Sequence, residues 1–246
     1  MTFEYKDKEY SFPSLLSEIT LGRRIAFYEQ HGKAMDAQAA ELEKAREEKT
    51  MSESDMELAV MVWRIEMAVR SFSFYSGIPL EEVQGGIDIN DVMTVYNVDI
   101  ELLMEQEREV VLQPSYRWKD ENWTIAPPDL KTDSGITFNE FLHAKEIVRQ
   151  LQAVGRGKWD ALPYLCAIYL RKENEPFSEA LVSENSERMQ LMQELPLDIA
   201  LAVGFFLSCT LSIYLNISAS STKGSLKESI QPATSTGGDG NLSLPT

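Results

Sequence analysis

The most apolar stretch of the chain is "LPLDIALAVGFFLSCTLSIYL", and charge is absent from Ile199 to Ile217, about 19 residues. As a helix it would just cross a bilayer, so its reading constrains everything else. Its flanks argue for water. Pro196 and Asp198 suit a helix start in solution: proline lacks an N–H that would be unpaired there anyway, and an acid meets the positive end of the helix dipole. No tryptophan belt or Lys/Arg cluster brackets the run, and the nearest cation beyond it is Lys223. Ser208, Thr210, Ser212 and Asn216 thin its hydrophobicity. Ala200, Gly204, Ser208 and Ser212 recur every four residues, a narrow face that another helix can approach closely. We expect a central core helix; a tail-anchored span and an interfacial docking helix are the alternatives.

The layout suggests a duplication. "FEYKDKEYSFP" near the start and "YRWKDENWTIAPP" downstream share aromatic-Lys-Asp, two residues, then an aromatic, with Pro soon after. Tyr5, Lys6, Asp7 and Tyr10 match Trp118, Lys119, Asp120 and Trp123. Each reads as a β-hairpin with a polar turn. "ITLGRRIAF" then follows the first and "ITFNEFLHA" the second. Thr137 with Glu140 makes a capping box, whereas Thr20, with Arg23 in place of the acid, would cap alone. A first helix is expected from about Thr20 to Glu48, broken near Gly32, its second part solvated or a flexible arm. "SDMELAVMVWRIEMAVRSFSFYSG", apolar over most of its circumference and stopped by Gly77, reads as a core helix. "INDVMTVYNVDIELLMEQE" follows a "QGG" turn; in the second half "FNEFLHAKEIVRQLQAV" ends at "GRG" and "KWDALPYLCAIYLRK" comes next. The fold class is therefore α+β and predominantly helical, with two pseudo-repeats of hairpin plus about three helices. They occupy residues 1–109 and 110–217. Residues 218–246, rich in Ser, Thr and Gly, read as a disordered tail.

Net charge is −16, so nucleic-acid phosphate and anionic lipid are repelled, and partners with basic faces are favoured. Cys166 and Cys209 stand alone in apolar runs and read as buried thiols of a reducing compartment. "MTFEYKDKEYSF" has no basic region followed by an apolar core, so it does not read as a secretory signal.

No motif specifies a reaction. His31 and His143 have no Cys, Asp or Glu at ligand spacing, and no serine sits in G-x-S-x-G. "GRGKW" fails as a phosphate loop, because Gln152 and Trp159 stand where Gly and Ser/Thr are required. It reads instead as a helix end and turn. Arg156, Lys158 and Trp159 there form a basic and aromatic cluster of the kind found at interface hot spots. Phe205 and Phe206 are the second candidate for partner contact. "DIND" lacks the glycine and closing glutamate of a calcium loop, so Asp88 reads as a helix cap. The pairs Glu81–Glu82 and Glu105–Glu107 read as solvated faces. Met61, Met67, Met93 and Met104 sit at helical spacing and read as core, although methionine also suits adaptable grooves. Neither cofactor nor metal is expected; an enzyme would need two distant carboxylates to converge.

"GKWDALPYLCAIYLRKENEPF" and "SERMQLMQELPLDIALAVGFFLSCTLSIYL" resemble tail assembly chaperones of bacteriophages and prophages of gut Bacteroidetes. The resemblance spans most of residues 1–217. It implies a non-catalytic protein that holds the tape-measure protein or tail-tube subunits in the cytoplasm of the bacterial host, with neither nucleic acid nor membrane as partner. Homo-oligomerisation is compatible with it. Members of that group are typically shorter, which leaves a structural virion component, a connector or baseplate part, as an alternative.

Overall fold

The computed structural model describes residues 1–107, 110–125, 138–172, 175–183 and 185–206. Thr137 of the expected capping box, Cys209, Ser208, Ser212 and the segment 218–246 lie outside them. The described chain is mainly helical with two small antiparallel sheets, the α+β class expected.

Both expected hairpins form, and the shared Lys-Asp is the turn in each. β1 (Thr2–Tyr5) pairs with β2 (Lys8–Ser11), Tyr5 opposite Lys8. β3 (Tyr116–Trp118) pairs with β4 (Glu121–Ile125), Trp118 opposite Glu121. Lys6 and Asp7 (φ 52° and 59°) and Lys119 and Asp120 (φ 50° and 60°) all take the left-handed region. Two such residues in a row make the turn whose twist matches that of the strands. The second sheet has a strand that periodicity did not reveal: β5 (Leu170–Lys172) lies on β4, with Ile125 opposite Leu170. The expected helix through "IYLRK" therefore stops at Tyr169. A short apolar run carries no period that separates helix from strand, and the free edge of β4 settles the matter.

The first helix does not break at Gly32. α1 (Leu21–Phe27) passes through a π turn (Tyr28–Gly32) into α2 (Lys33–Glu47), with Thr20 Oγ1 accepting from Arg23 N–H at 3.2 Å. α3 (Glu53–Ser76) ends at Gly77, whose φ of 76° gives the left-handed cap. "QGG" is not a turn but the last turn of a short helix, α4 (Leu80–Gly86). Asp88 caps α5 (Ile89–Val95), Oδ1 accepting from Asn90 N–H at 2.8 Å, and a second π turn (Tyr96–Ile100) leads into α6 (Glu101–Gln106). In the second half come α7 (Phe138–Ala153), α8 (Lys158–Tyr169), α9 (Glu187–Gln193) and α10, described over 197–206. α7 ends as expected: Arg156 N–H donates to Leu151 O and Gly155 N–H to Gln152 O, the paired bonds of a left-handed cap.

Over the residues described, α10 is the core helix expected. Leu195, Leu197, Ala200, Ala202 and Val203 are each 0% exposed. The small face works as its spacing implied: Cys166 Sγ lies 3.9 Å from Ala200 O, and a Cβ on Gly204 would stand 3.3 Å from Leu162. Among the described residues no helix is long and apolar enough to cross a membrane.

The chain closes where the starts of α1 and α10 cross. Leu21 N–H donates to Leu195 O at 2.8 Å and Leu197 N–H to Ile19 O at 2.9 Å, around a bridge between Thr20 and Pro196. In that pattern the central pair exchanges no bonds, so proline's missing N–H costs nothing and the threonine hydroxyl is free to cap. Gly22 lets α9 approach, since a Cβ there would stand 2.9 Å from Gln193 O. Arg24 adds a second tie: it grips Glu107 (2.6 and 3.2 Å) and lies 4.3 Å over the Trp159 ring. Glu107, expected on a solvated face, is therefore partly buried in an ion pair whose partner is remote in sequence.

Leu21→Ala or Leu195→Ala should cost about 2–5 kcal/mol in urea unfolding, the range for a buried leucine that leaves a cavity. His31 gives a pH test. It is 7% exposed against Phe27 and Phe74, and burial, with Arg70 adding, holds its imidazole below the ordinary value. The unfolded chain then binds the proton more readily, so this contribution is full above about pH 6.5 and is lost as pH falls further. The urea midpoint should fall between pH 7 and 5.5, and His31→Gln should flatten that slope.

Candidate protein-docking surface

The two places singled out in the sequence are divided by the fold. Arg156 and Lys158 are exposed, but Trp159 is 4% exposed, enclosed by Arg24, Lys158 and Tyr28. The indole is a packing residue because α8 begins beneath α1. Phe205 is 51% exposed, whereas its neighbour Phe206 is 9%. Arg156 also borders a shallow cleft of about 290 Å³ with Ile25, Tyr164 and Met189. The structure thus leaves Arg156, Lys158 and Phe205 open to a partner and takes Trp159 and Phe206 inside.

A larger apolar surface lies where a core helix was expected. The last turns of α3 are enclosed: Ala68 and Phe72 are 0% exposed, and Phe3 and Phe12 meet the Phe72 ring at 5.2 and 4.8 Å. Among the described residues, the first turns pack beside α2. Trp63 Nε1 donates to Met35 O at 3.3 Å, and Met35 is 3% exposed. α2, read as solvated, is thus a packed helix that uses a narrow seam of Met35, Ala39, Leu42 and Ala45. On the face of α3 away from that seam, Leu58 and Met61 are each 60% exposed and Val62 is 47%. With half-buried Ile65 they occupy positions i, i+3, i+4 and i+7, one stripe along one helix face. Met61, expected in the core, is one of its two most exposed members.

The stripe runs into a cleft of about 330 Å³ bordered by Ile65, Val69, Val83, Ile87, Ile89 and Val92. Ile89 is itself 44% exposed. Charge flanks it unevenly. Glu53, Asp55 and Glu57 stand at one end; Arg64, bonded to Glu101 at 2.7 Å, and Arg70, 3.5 Å from Glu66, stand at the other. The signal was present in the sequence, since α3 is apolar nearly all round. Which side would go uncovered was not, because that depends on α2 covering only one side of the arm.

Titratable groups elsewhere serve packing. The Cys166 thiol is 0% exposed and burial pushes its pKa up. Tyr96 is pushed up to about 12, first by burial, and its hydroxyl donates to Met67 Sδ. Glu140, 2% exposed, pairs with Arg171 at 2.6 Å, and Arg188 bonds Leu170 O and Glu175 above the Trp123 ring. Among the described residues no group of three or more His, Cys, Asp or Glu could hold a metal. No family model, curated protein or solved structure matches this chain.

Met61→Glu should change unfolding free energy by no more than about 0.5 kcal/mol, as an exposed position does, while Phe72→Ala should cost about 3–5 kcal/mol. In a Cys209→Ser background, Cys166 should resist an aromatic disulfide reagent in buffer and react at once in denaturant.

Proposed function

We propose that this chain is a non-catalytic assembly chaperone or scaffold that binds phage tail proteins, the tape-measure protein or tail-tube subunits, before they polymerise. The observation that carries the reading is the uncovered stripe of Leu58, Met61 and Val62 on a helical arm. A holdase needs an apolar helix face that a client helix can occupy at i, i+3, i+4 and i+7 spacing. It also needs a surface that keeps the loaded complex soluble, and a net charge of −16 suits that task. Met61 adds a side chain that adapts to different client shapes. The sequence resemblance supplies the class of client, and the host cytoplasm is where such a protein would work. No cofactor enters the mechanism, which is reversible burial of apolar surface.

The test is a detergent-free pull-down of the tagged full-length chain from producing cells, with mass spectrometry of what elutes. A very long helical protein or tube subunits should co-elute with the unmodified chain and be lost with Met61→Glu. Elution of no tail protein from either would contradict the reading. Stoichiometric presence of the chain in finished particles would favour a structural role instead.

A further inference from the structure

We propose that the occupant of the α3 stripe, before any client arrives, is a second copy of this chain, docked antiparallel about a two-fold axis between Met61 and Val62. The inference rests on the reading of that stripe as a protein-docking surface and adds the identity of its first partner. A two-fold interface uses the same patch twice, so a patch qualifies only if it complements its own reversed image.

The α3 stripe does so in both shape and charge. Reversed about its centre, Leu58 falls opposite Ile65 of the second copy and Met61 opposite Val62, so the bulky ends and the middle each meet apolar partners. Leu58 then lies at the mouth of the cleft that begins at Ile65 and Val69. Along one edge Glu57 comes within a turn of Arg64 of the second copy, and along the other Asp55 falls level with the Glu66–Arg70 pair, whose groups lie 3.5 Å apart. Arg64 and Arg70 are partly exposed, at 46% and 31% of their side chains, and so can share a further carboxylate with those they already hold. A parallel arrangement would instead bring Glu53, Asp55 and Glu57 against their own copies. Antiparallel docking is thus selected by the order of charge along the helix. The net charge of each copy opposes association over long range, but at physiological salt that repulsion is screened within about 8 Å.

A patch this small gives a weak dimer, which a chaperone requires, because a client helix must be able to displace the second copy. Sedimentation velocity of the full-length chain should therefore show monomer at low concentration and dimer by ~100 µM. Met61→Glu should remain monomeric with an unchanged thermal midpoint.

Register is tested by cross-linking in a Cys209→Ser background with a short bis-maleimide. Met61→Cys or Val62→Cys should link to its own copy at least tenfold faster than Glu53→Cys. The two Glu53 positions lie ~25 Å apart along the axis at 1.5 Å per residue. A monomer at every concentration overturns the proposal; if Met61→Glu still abolishes client capture, the docking surface itself stands, and if capture is unaffected, both readings fall. A dimer indifferent to Met61→Glu, or linked as fast from Glu53→Cys, also overturns it, because the contact then lies elsewhere.

Discussion

Two backbone hydrogen bonds, one on either side of the Thr20–Pro196 bridge, decide how this chain closes. They tie the start of α1 to the start of α10 and place Leu21, Leu195 and Leu197 at full burial. The crossing accompanies the contacts that α1 makes with α8 and α9. It lets α9 slide against Gly22, and it brings Trp159 under the Arg24 guanidinium, which in turn holds Glu107. An arginine so enclosed is tolerated because its charge is met by a bidentate carboxylate and an aromatic face. Its role is geometric: it joins α1, α6 and α8 at one point.

The same closure explains why one helix has two characters. The late turns of α3 lie under the first hairpin and are enclosed, while the early turns, among the described residues, pack beside α2 and are largely exposed. Only a narrow apolar seam of α2 is needed to hold the pair, so the opposite side of α3 keeps its leucine, methionine and valine in water. The π turn at Tyr28–Gly32 belongs to this arrangement. It redirects the long helix where His31 and Phe27 pack against Phe74, so that α2 runs beside α3.

Much of this was written in local patterns. The Lys-Asp turns, the Gly77 and Gly155 caps and the lone Thr20 cap are short-range chemistry, and sequence alone located each. The described part of the small face of α10, Ala200 and Gly204, was legible for the same reason: spacing every four residues does not depend on what packs against it. What escaped was settled at long range. Leu170 becomes a strand residue because β4 has a free edge, Glu107 is drawn partly inside because Arg24 reaches it, and Trp159 is enclosed because α1 crosses above it. Of the proposed contact residues, Arg156, Lys158 and Phe205 stay exposed, while the stripe at Leu58, Met61 and Val62 was hidden inside a helix that looked uniformly apolar. Periodicity can show that a helix has apolar faces, but not which of them the rest of the chain leaves uncovered.

The described chain is thus a body closed at the α1–α10 crossing that carries a less protected two-helix arm. Hydrogen exchange read by mass spectrometry on dilute full-length protein tests this most directly. Peptides covering Leu21 and Leu197 should exchange together at the slowest rate in the chain, and those covering residues 38–62 far faster. Early exchange at Leu197, at the rate of the arm, would contradict the account, because the crossing could not then be what holds the body closed.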